Sequence, residues 1–180
     1  SQNKNGNFLR VFDLQKDNQY EDTDAAAFDI DKDGDLDLYV VSGGNEYKES
    51  DKNYMDRVYL NDGLGNFTRL QISLPRTNGS SVSVSDFNND GYDDLFLGSR
   101  SITGFYGLSP YSFIMLNNSD NTLSPIEQQR YGMVTDSKWV DINSDGKEDL
   151  ILAGDWMPIT VLIQEDDLKF TNKTEKYGLS

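Results

Sequence analysis

From Asp29 to Leu38 the chain reads Asp-Ile-Asp-Lys-Asp-Gly-Asp-Leu-Asp-Leu, with carboxylates at positions 1, 3, 5 and 9 of a nine-residue loop and glycine at position 6. Carboxylates at this spacing suit a hard cation. Alternate side chains in a tight turn point inward, so Asp29, Asp31 and Asp33 can converge on one point. Asp35, at position 7, can offer its backbone carbonyl, and Asp37 can close the shell. Calcium accepts about six to eight oxygens at flexible angles, whereas magnesium demands a stricter octahedron and keeps several waters. Gly34 stands where the chain must bend with φ > 0, a conformation glycine adopts without steric cost.

A single Asp-Gly loop is commonly a plain solvated turn. Here the pattern recurs twice. Asp86, Asn88, Asp90, Gly91 and Asp94 repeat it, with Tyr92 at position 7; Asp141, Asn143, Asp145, Gly146 and Asp149 repeat it again, with Lys147 at position 7. The copies begin at 29, 86 and 141, so they are 57 and then 55 residues apart. Three matches at near-constant spacing mark a structural repeat and point to three calcium sites. An EF-hand would need a bidentate Glu at position 12 and a helix on each side. Position 12 is Val40, Leu97 or Leu152, and the flanks are short apolar runs. The loops are not EF-hands.

Those runs are the elements that must hold the loops. The opening is polar, and Gly6-Asn7-Phe8-Leu9-Arg10-Val11 reads as a turn entering a strand. The same wording returns as Gly65-Asn66-Phe67-Thr68-Arg69-Leu70, which places residues 1–19 as the last strand of a preceding unit plus a linker. A first full unit spans 20–77: Ala25–Phe28, Leu38–Val41, Val58–Leu60 and, after the hairpin signal Asn61–Asn66, Phe67–Leu70. The second spans 78–130, with Val82–Val84, Leu95–Leu97, Phe113–Leu116 and a weak strand near Leu123. The third spans 131–180, with Lys138–Val140, Leu150–Leu152, Thr160–Ile163 and Leu168–Phe170. No segment carries a helical period over ten or more residues. Each unit is four short strands with the acidic loop between the first two. Tandem four-stranded units of this length are the signature of β-propeller blades, and the small residues before each loop suit strands crowded near a central axis.

Composition narrows the function. The 180 residues include 31 acidic and 16 basic side chains, a net charge of −15, with no histidine and no cysteine. Nucleic acid is excluded as a partner, since phosphate binding needs a basic face and Lys and Arg are scattered. Part of the acidity is a metal requirement: three calcium ions would bring −15 to −9. Disulfides and thiolate sites are ruled out. No apolar stretch approaches membrane-spanning length, and no secretory core precedes Phe8, as in a trimmed exported chain.

Asp86-Phe-Asn-Asn-Asp-Gly-Tyr-Asp-Asp-Leu-Phe-Leu-Gly-Ser and Asp141-Ile-Asn-Ser-Asp-Gly-Lys-Glu-Asp-Leu-Ile-Leu-Ala-Gly resemble the FG-GAP, or VCBS-type, repeat, best known from the β-propeller of integrin α subunits. Asp149–Ile159, with its Gly-Asp-Trp-Met-Pro-Ile run, is similar to repeats in bacterial relatives of cartilage acidic protein, the ASPIC/UnbV group. The resemblance covers nearly everything after Tyr20. It departs from the family in lacking Phe-Gly before Ala25, Val82 or Lys138, and in carrying Asn at position 3 of the second and third loops. It implies an exported, periplasmic or cell-surface protein with seven blades. About three blades are present, so the chain is expected to be part of a longer propeller, or to associate through its open blade edges.

Three functions are open on this reading. The first is a calcium-stabilised module for adhesion or for protein or carbohydrate recognition. Its contact face would lie opposite the metal loops, where the connections between second and third strands carry Tyr47, Tyr54, Arg100, Phe105, Tyr106, Tyr111, Trp156 and Met157. Exposed rings beside an arginine suit stacking on sugars or anchoring a protein; covering the blade tops is the plainer role for any one of them. Arg100, Phe105, Tyr106, Tyr111 and Trp156 are the residues assigned to that face. The second is a polysaccharide lyase or hydrolase. Against it stand the absence of His and Cys, of a nucleophile elbow and of a carboxylate pair outside the loops. The third is a structural spacer. The expectation is a non-enzymatic binding module.

Overall fold

The computed structural model of the chain describes residues 17–48 and 51–179. The lone strand expected at 8–11 lies outside them. The described chain is all-β. Its twelve strands are β1 (Asp22–Phe28), β2 (Asp37–Ser42), β3 (Arg57–Asn61), β4 (Phe67–Leu70), β5 (Gly79–Ser85), β6 (Asp94–Ser99), β7 (Ser112–Asn117), β8 (Leu123–Gln129), β9 (Met133–Val140), β10 (Asp149–Asp155), β11 (Thr160–Gln164) and β12 (Phe170–Asn172). They form three four-stranded antiparallel sheets, each in chain order: β1–β4, β5–β8 and β9–β12. None of the described sheets closes on itself. These are propeller blades, with β1, β5 and β9 lying side by side as the innermost strands.

The sheets stack face to face, and the pleat of β6 shows how. Successive side chains of a strand point to opposite faces. Leu95 and Leu97 join Phe28, Tyr39, Val41 and Val58 in one core, between the first and second sheets. Phe96, between them, joins Val134, Trp139, Leu150, Leu152 and Leu162 in the other. All six residues of β6 are buried, which is why its sequence is a continuous apolar run rather than an alternating one. The second core is locked by rings. Phe87 stacks on Trp139 at 5.1 Å between centroids, and Phe170 meets both edge-on at 5.6 and 5.8 Å.

Small residues let the inner strands approach. A Cβ at Gly79 would lie 2.2 Å from Val41 Cγ1, and one at Gly43 would lie 2.2 Å from the Gly79 carbonyl. Hydroxyls then stitch sheet to sheet: Thr23 donates to the Gly79 carbonyl at 3.0 Å and Ser80 to the Val134 carbonyl at 2.5 Å. Asp24 accepts the Val82 amide at 2.9 Å.

Two strands differ from expectation. The weak strand near Leu123 runs for seven residues despite Pro125, because it is an edge strand and Pro125 sits beside a bulge opposite Ile114 and Met115. The last strand begins at Phe170 rather than Leu168, because residues 166–168 form a 3-10 turn with Leu168 at φ 58°. Among the described residues no helix is long and apolar enough to cross a membrane.

Asp56 is an unexpected buried acid in the first sheet. It is 3 % exposed, and it accepts from the Tyr39 hydroxyl and the Ser42 amide, both at 2.9 Å. Burial pushes its carboxyl up to about 7 against the pull of those donors and of Arg57. Folding therefore favours the protonated acid. Its contribution to stability is complete below the ordinary value near 3.8 and is lost as pH rises toward 7. Asn at this position can accept from the Ser42 amide and donate to the Tyr39 oxygen, with no charge to bury. Asp56→Asn should gain on the native chain by up to about 4 kcal/mol between pH 4 and 7. Urea denaturation at the two pH values checks this, and a pH-independent difference would contradict it.

Candidate metal centre

The three acidic loops join β1 to β2, β5 to β6 and β9 to β10, so antiparallel order places them at the same end of their sheets. The second and third are near-copies. Asp86 Oδ2 accepts the Gly91 amide at 2.8 Å, and Asp141 Oδ2 accepts the Gly146 amide at 2.9 Å. Asp86 and Asp141 also accept the amides of Asp90 and Asp145 through Oδ1, at 3.0 and 3.1 Å. Asn88 and Asn143 accept those same amides at 2.9 Å and donate to the Asp90 and Asp145 carboxylates, again at 2.9 Å. Tyr92 and Lys147 give their amides to the position-5 carboxylate at 2.8 and 2.9 Å. Position 4 takes positive φ in all three loops (Lys32, Asn89 and Ser144), and position 6 is glycine at φ 86–93°.

The first loop shares the frame but not the details. Gly34 donates to Asp29 at 3.0 Å and Asp35 to Asp33 at 2.9 Å, while Asp31 accepts the Asp33 amide at 3.3 Å. Here Asp29, Asp31 and Asp37 each bring an oxygen within 4.8 Å of the others. Asp33 is outside that trio, although the spacing had placed it among the converging ligands. Asp29 Oδ1 is buried and, among the described residues, has no hydrogen-bond partner. Three convergent carboxylates, one with an orphaned oxygen, fit a divalent cation. In the second loop Asp94 Oδ2 is buried and likewise unpartnered.

Position 9 does two jobs. Asp37 accepts the Ile30 amide at 3.0 Å and the Asn61 amide at 2.8 Å. Asp149 accepts those of Ile142 and Gln164 at 3.1 and 2.9 Å, and Asp94 accepts that of Asn117 at 2.9 Å. All three carboxylates are buried. Burial raises each above the ordinary value, Asp94 to about 7, and the neighbouring loop carboxylates raise them further. A cation among them would reverse that balance by favouring the ionised form. Asp145 lies below its ordinary value, held there first by the Asn143 side chain.

At the other end of the sheets the residues expected on the contact face fall into separate groups. Tyr106 and Trp156, from different sheets, meet edge-on at 5.1 Å and are 74 % and 77 % exposed. Trp156 holds φ 53°, uncommon for a bulky residue. Phe105 is exposed beside them; Leu108 and Ile159, not singled out from the sequence, are exposed in the same two connections. Tyr111 lies under the Arg130 guanidinium, 4.3 Å away, at the wall of a cavity of about 160 Å³. Arg100 is held by Asp155 at 2.7 Å and borders a polar cavity of about 330 Å³ lined by Thr23, Asn78, Ser80 and Thr135. Two candidates for that face are corrected. Tyr54 is buried, and its hydroxyl bonds the backbone of Tyr47. Met157 packs against the second core and touches the space beside Gly132 and Gly154.

Loop geometry makes a prediction about metal. Binding to the folded form alone stabilises by about 1.4 kcal/mol per site at ten times Kd. Calcium should therefore raise the melting temperature, and magnesium much less. The first loop, with most carboxylates, should bind tightest. Calorimetry on Asp31→Ala, Asp90→Ala and Asp145→Ala checks the order; equal melting in calcium and in chelator would contradict the assignment.

A search of curated proteins returns no match to the chain. Residues 29–97 match the family described as the FG-GAP-like repeat. The matched stretch starts on the first acidic position of the first loop, Asp29, and runs through two acidic loops into β6. Residues 29–97 thus carry the FG-GAP-like repeat, the family that the acidic loops resemble.

Proposed function

We propose that the chain is a calcium-stabilised propeller module that recognises a protein or carbohydrate partner on behalf of an exported or cell-surface protein. The observation that carries this reading is the division of labour between the two ends of the sheets. One end holds three loops of one hydrogen-bonding plan, built from Asp29, Asp31, Asp33, Asp35 and Asp37 and their counterparts. The other presents Tyr106 and Trp156 as a joined pair of exposed rings, with Phe105 beside them. Calcium would draw on the side chains at positions 1, 3, 5 and 9 and on the carbonyls of Asp35, Tyr92 and Lys147. Its role would be to neutralise and rigidify.

Location outside the cytosol is supported by chemistry. Two of the loops carry a neutral Asn at position 3, and position 5 is exposed in all three (Asp33, Asp90 and Asp145). Low ligand charge and an open outer edge suit the weaker affinities of extracellular calcium modules, about 10⁻⁴ to 10⁻³ M. The resemblance of Asp149–Ile159 to bacterial relatives of cartilage acidic protein points the same way. Recognition rather than turnover is supported by the aromatic end, where Asp155 is engaged by Arg100 rather than left as a base.

Exposed aromatic pairs of this kind carry interface energy through desolvation and stacking. A glycan array and a panel of matrix glycoproteins, probed with and without calcium, test the reading. Binding should require calcium and fall at least about tenfold in Trp156→Ala and Tyr106→Ala, the loss expected of an anchoring residue, with calcium-dependent melting unchanged. If both variants bind as the native chain does, while Asp90→Ala abolishes binding without unfolding, the partner contacts the metal end instead.

A further inference from the structure

We infer that Asn117 and Gln164 couple neighbouring metal loops, so that a cation seated in one loop organises the next. The inference rests on the calcium reading above and assigns a role to two residues outside the ligand positions.

The coupling runs through the hydrogen bonds of position 2. In the first loop the Ile30 amide is held by Asp37 of the same loop, at 3.0 Å. The Ile30 carbonyl is held from the next sheet, by the Asn117 side-chain amide at 3.1 Å. The backbone amide of Asn117 in turn donates to Asp94, the position-9 residue of the second loop, at 2.9 Å. One residue thus grips a candidate ligand of the second loop with its backbone and the frame of the first with its side chain. The pattern repeats one sheet on. Gln164 donates from its side chain to the Phe87 carbonyl, position 2 of the second loop, at 3.1 Å, and from its backbone to Asp149 at 2.9 Å.

Both bridging side chains are buried, Asn117 at 2 % and Gln164 at 5 % exposure. A buried donor of this kind is costly to lose, because the carbonyl it serves is left unpaired. Other contacts tie the first junction. Asn117 also reaches the Asp93 carbonyl at 3.3 Å, and Asp93 accepts the Asp29 amide at 3.2 Å. Lys32 of the first loop lies over the Tyr92 ring of the second at 4.6 Å. A cation that fixes Asp94 therefore fixes Asn117, and through it the turn from which Asp29 and Asp31 project.

Asn61 is the built-in control. It occupies the same place at the end of β3, and its backbone amide donates to Asp37 at 2.8 Å. Its side chain, however, donates within its own sheet, to the Leu36 carbonyl at 3.0 Å. Among the described residues it caps without bridging.

The test is a calcium titration of the whole chain by NMR, following the amides of Gly34, Gly91 and Gly146 as one reporter per loop. Asp90→Ala, which disables the second loop, should weaken calcium at Gly34 by about fivefold, the low end of ordinary coupling. In Asn117→Leu the same change should cost less than about twofold, while in Asn61→Leu it should still cost about fivefold. Should Asn117→Leu fail to fold, Gln164→Leu combined with Asp145→Ala and read at Gly91 decides the claim at the second junction. An unchanged Gly34 affinity in Asp90→Ala, or an equal loss with and without Asn117, overturns the coupling while leaving three independent calcium sites. No calcium response at any of the three glycines overturns the calcium reading, and the coupling with it.

Discussion

The structure depends on one constraint: a buried carboxylate at the ninth position of each acidic loop must be satisfied. Asp37, Asp94 and Asp149 sit at the start of the second strand of each sheet, out of water and beside other carboxylates. Each accepts a backbone amide from the end of the third strand, and Asp37 and Asp149 also accept one from their own loop. The acid therefore aligns three strands at once. Hydrogen bonds from amides meet part of its need; a divalent cation, in the reading proposed here, meets the rest. In that reading the negative charge of the chain, which would otherwise oppose folding, becomes part of the means by which each blade holds its shape.

From that constraint the layering follows. With the loop end of each sheet fixed, the middle strands are free to be apolar on both faces, and β6 feeds one core with Leu95 and Leu97 and the other with Phe96. Stability is thereby shared between sheets rather than held within them. No sheet has a complete core of its own, a property typical of repeat architectures. The same sharing explains why polar bridges such as Asn117 and Gln164 cross the junctions at the loop end. It also leaves the opposite end, where connections are long, free to display Tyr106 and Trp156.

Much of this was legible in the residues. The loops announce themselves because a turn that gathers carboxylates needs a fixed order of Asp, Asn and Gly, and the central strands because continuous apolar runs have no other use in so polar a chain. What escaped was whatever depends on a neighbour distant in sequence. Asp56 reads as one more surface acid until Tyr39 and Ser42 are seen against it. Tyr54 reads as an exposed ring until it folds onto Tyr47. The meeting of Tyr106 with Trp156, 50 positions apart, and the reach of Asn117 to Ile30 across a junction have no local signature. Within the first loop, Asp33 accepts the Asp35 amide as its counterparts do in the other loops, and Asp29, Asp31 and Asp37 form the cluster.

The central claim is that the acidic loops are cation sites, and anomalous X-ray diffraction from crystals grown in calcium tests it most directly. The account predicts an anomalous peak in each loop, enclosed by the side chains of positions 1, 3, 5 and 9, with oxygens at about 2.3 to 2.6 Å. The peak in the first loop should be seated between Asp29, Asp31 and Asp37. Loops that keep their internal hydrogen bonds in saturating calcium and show no peak would contradict it.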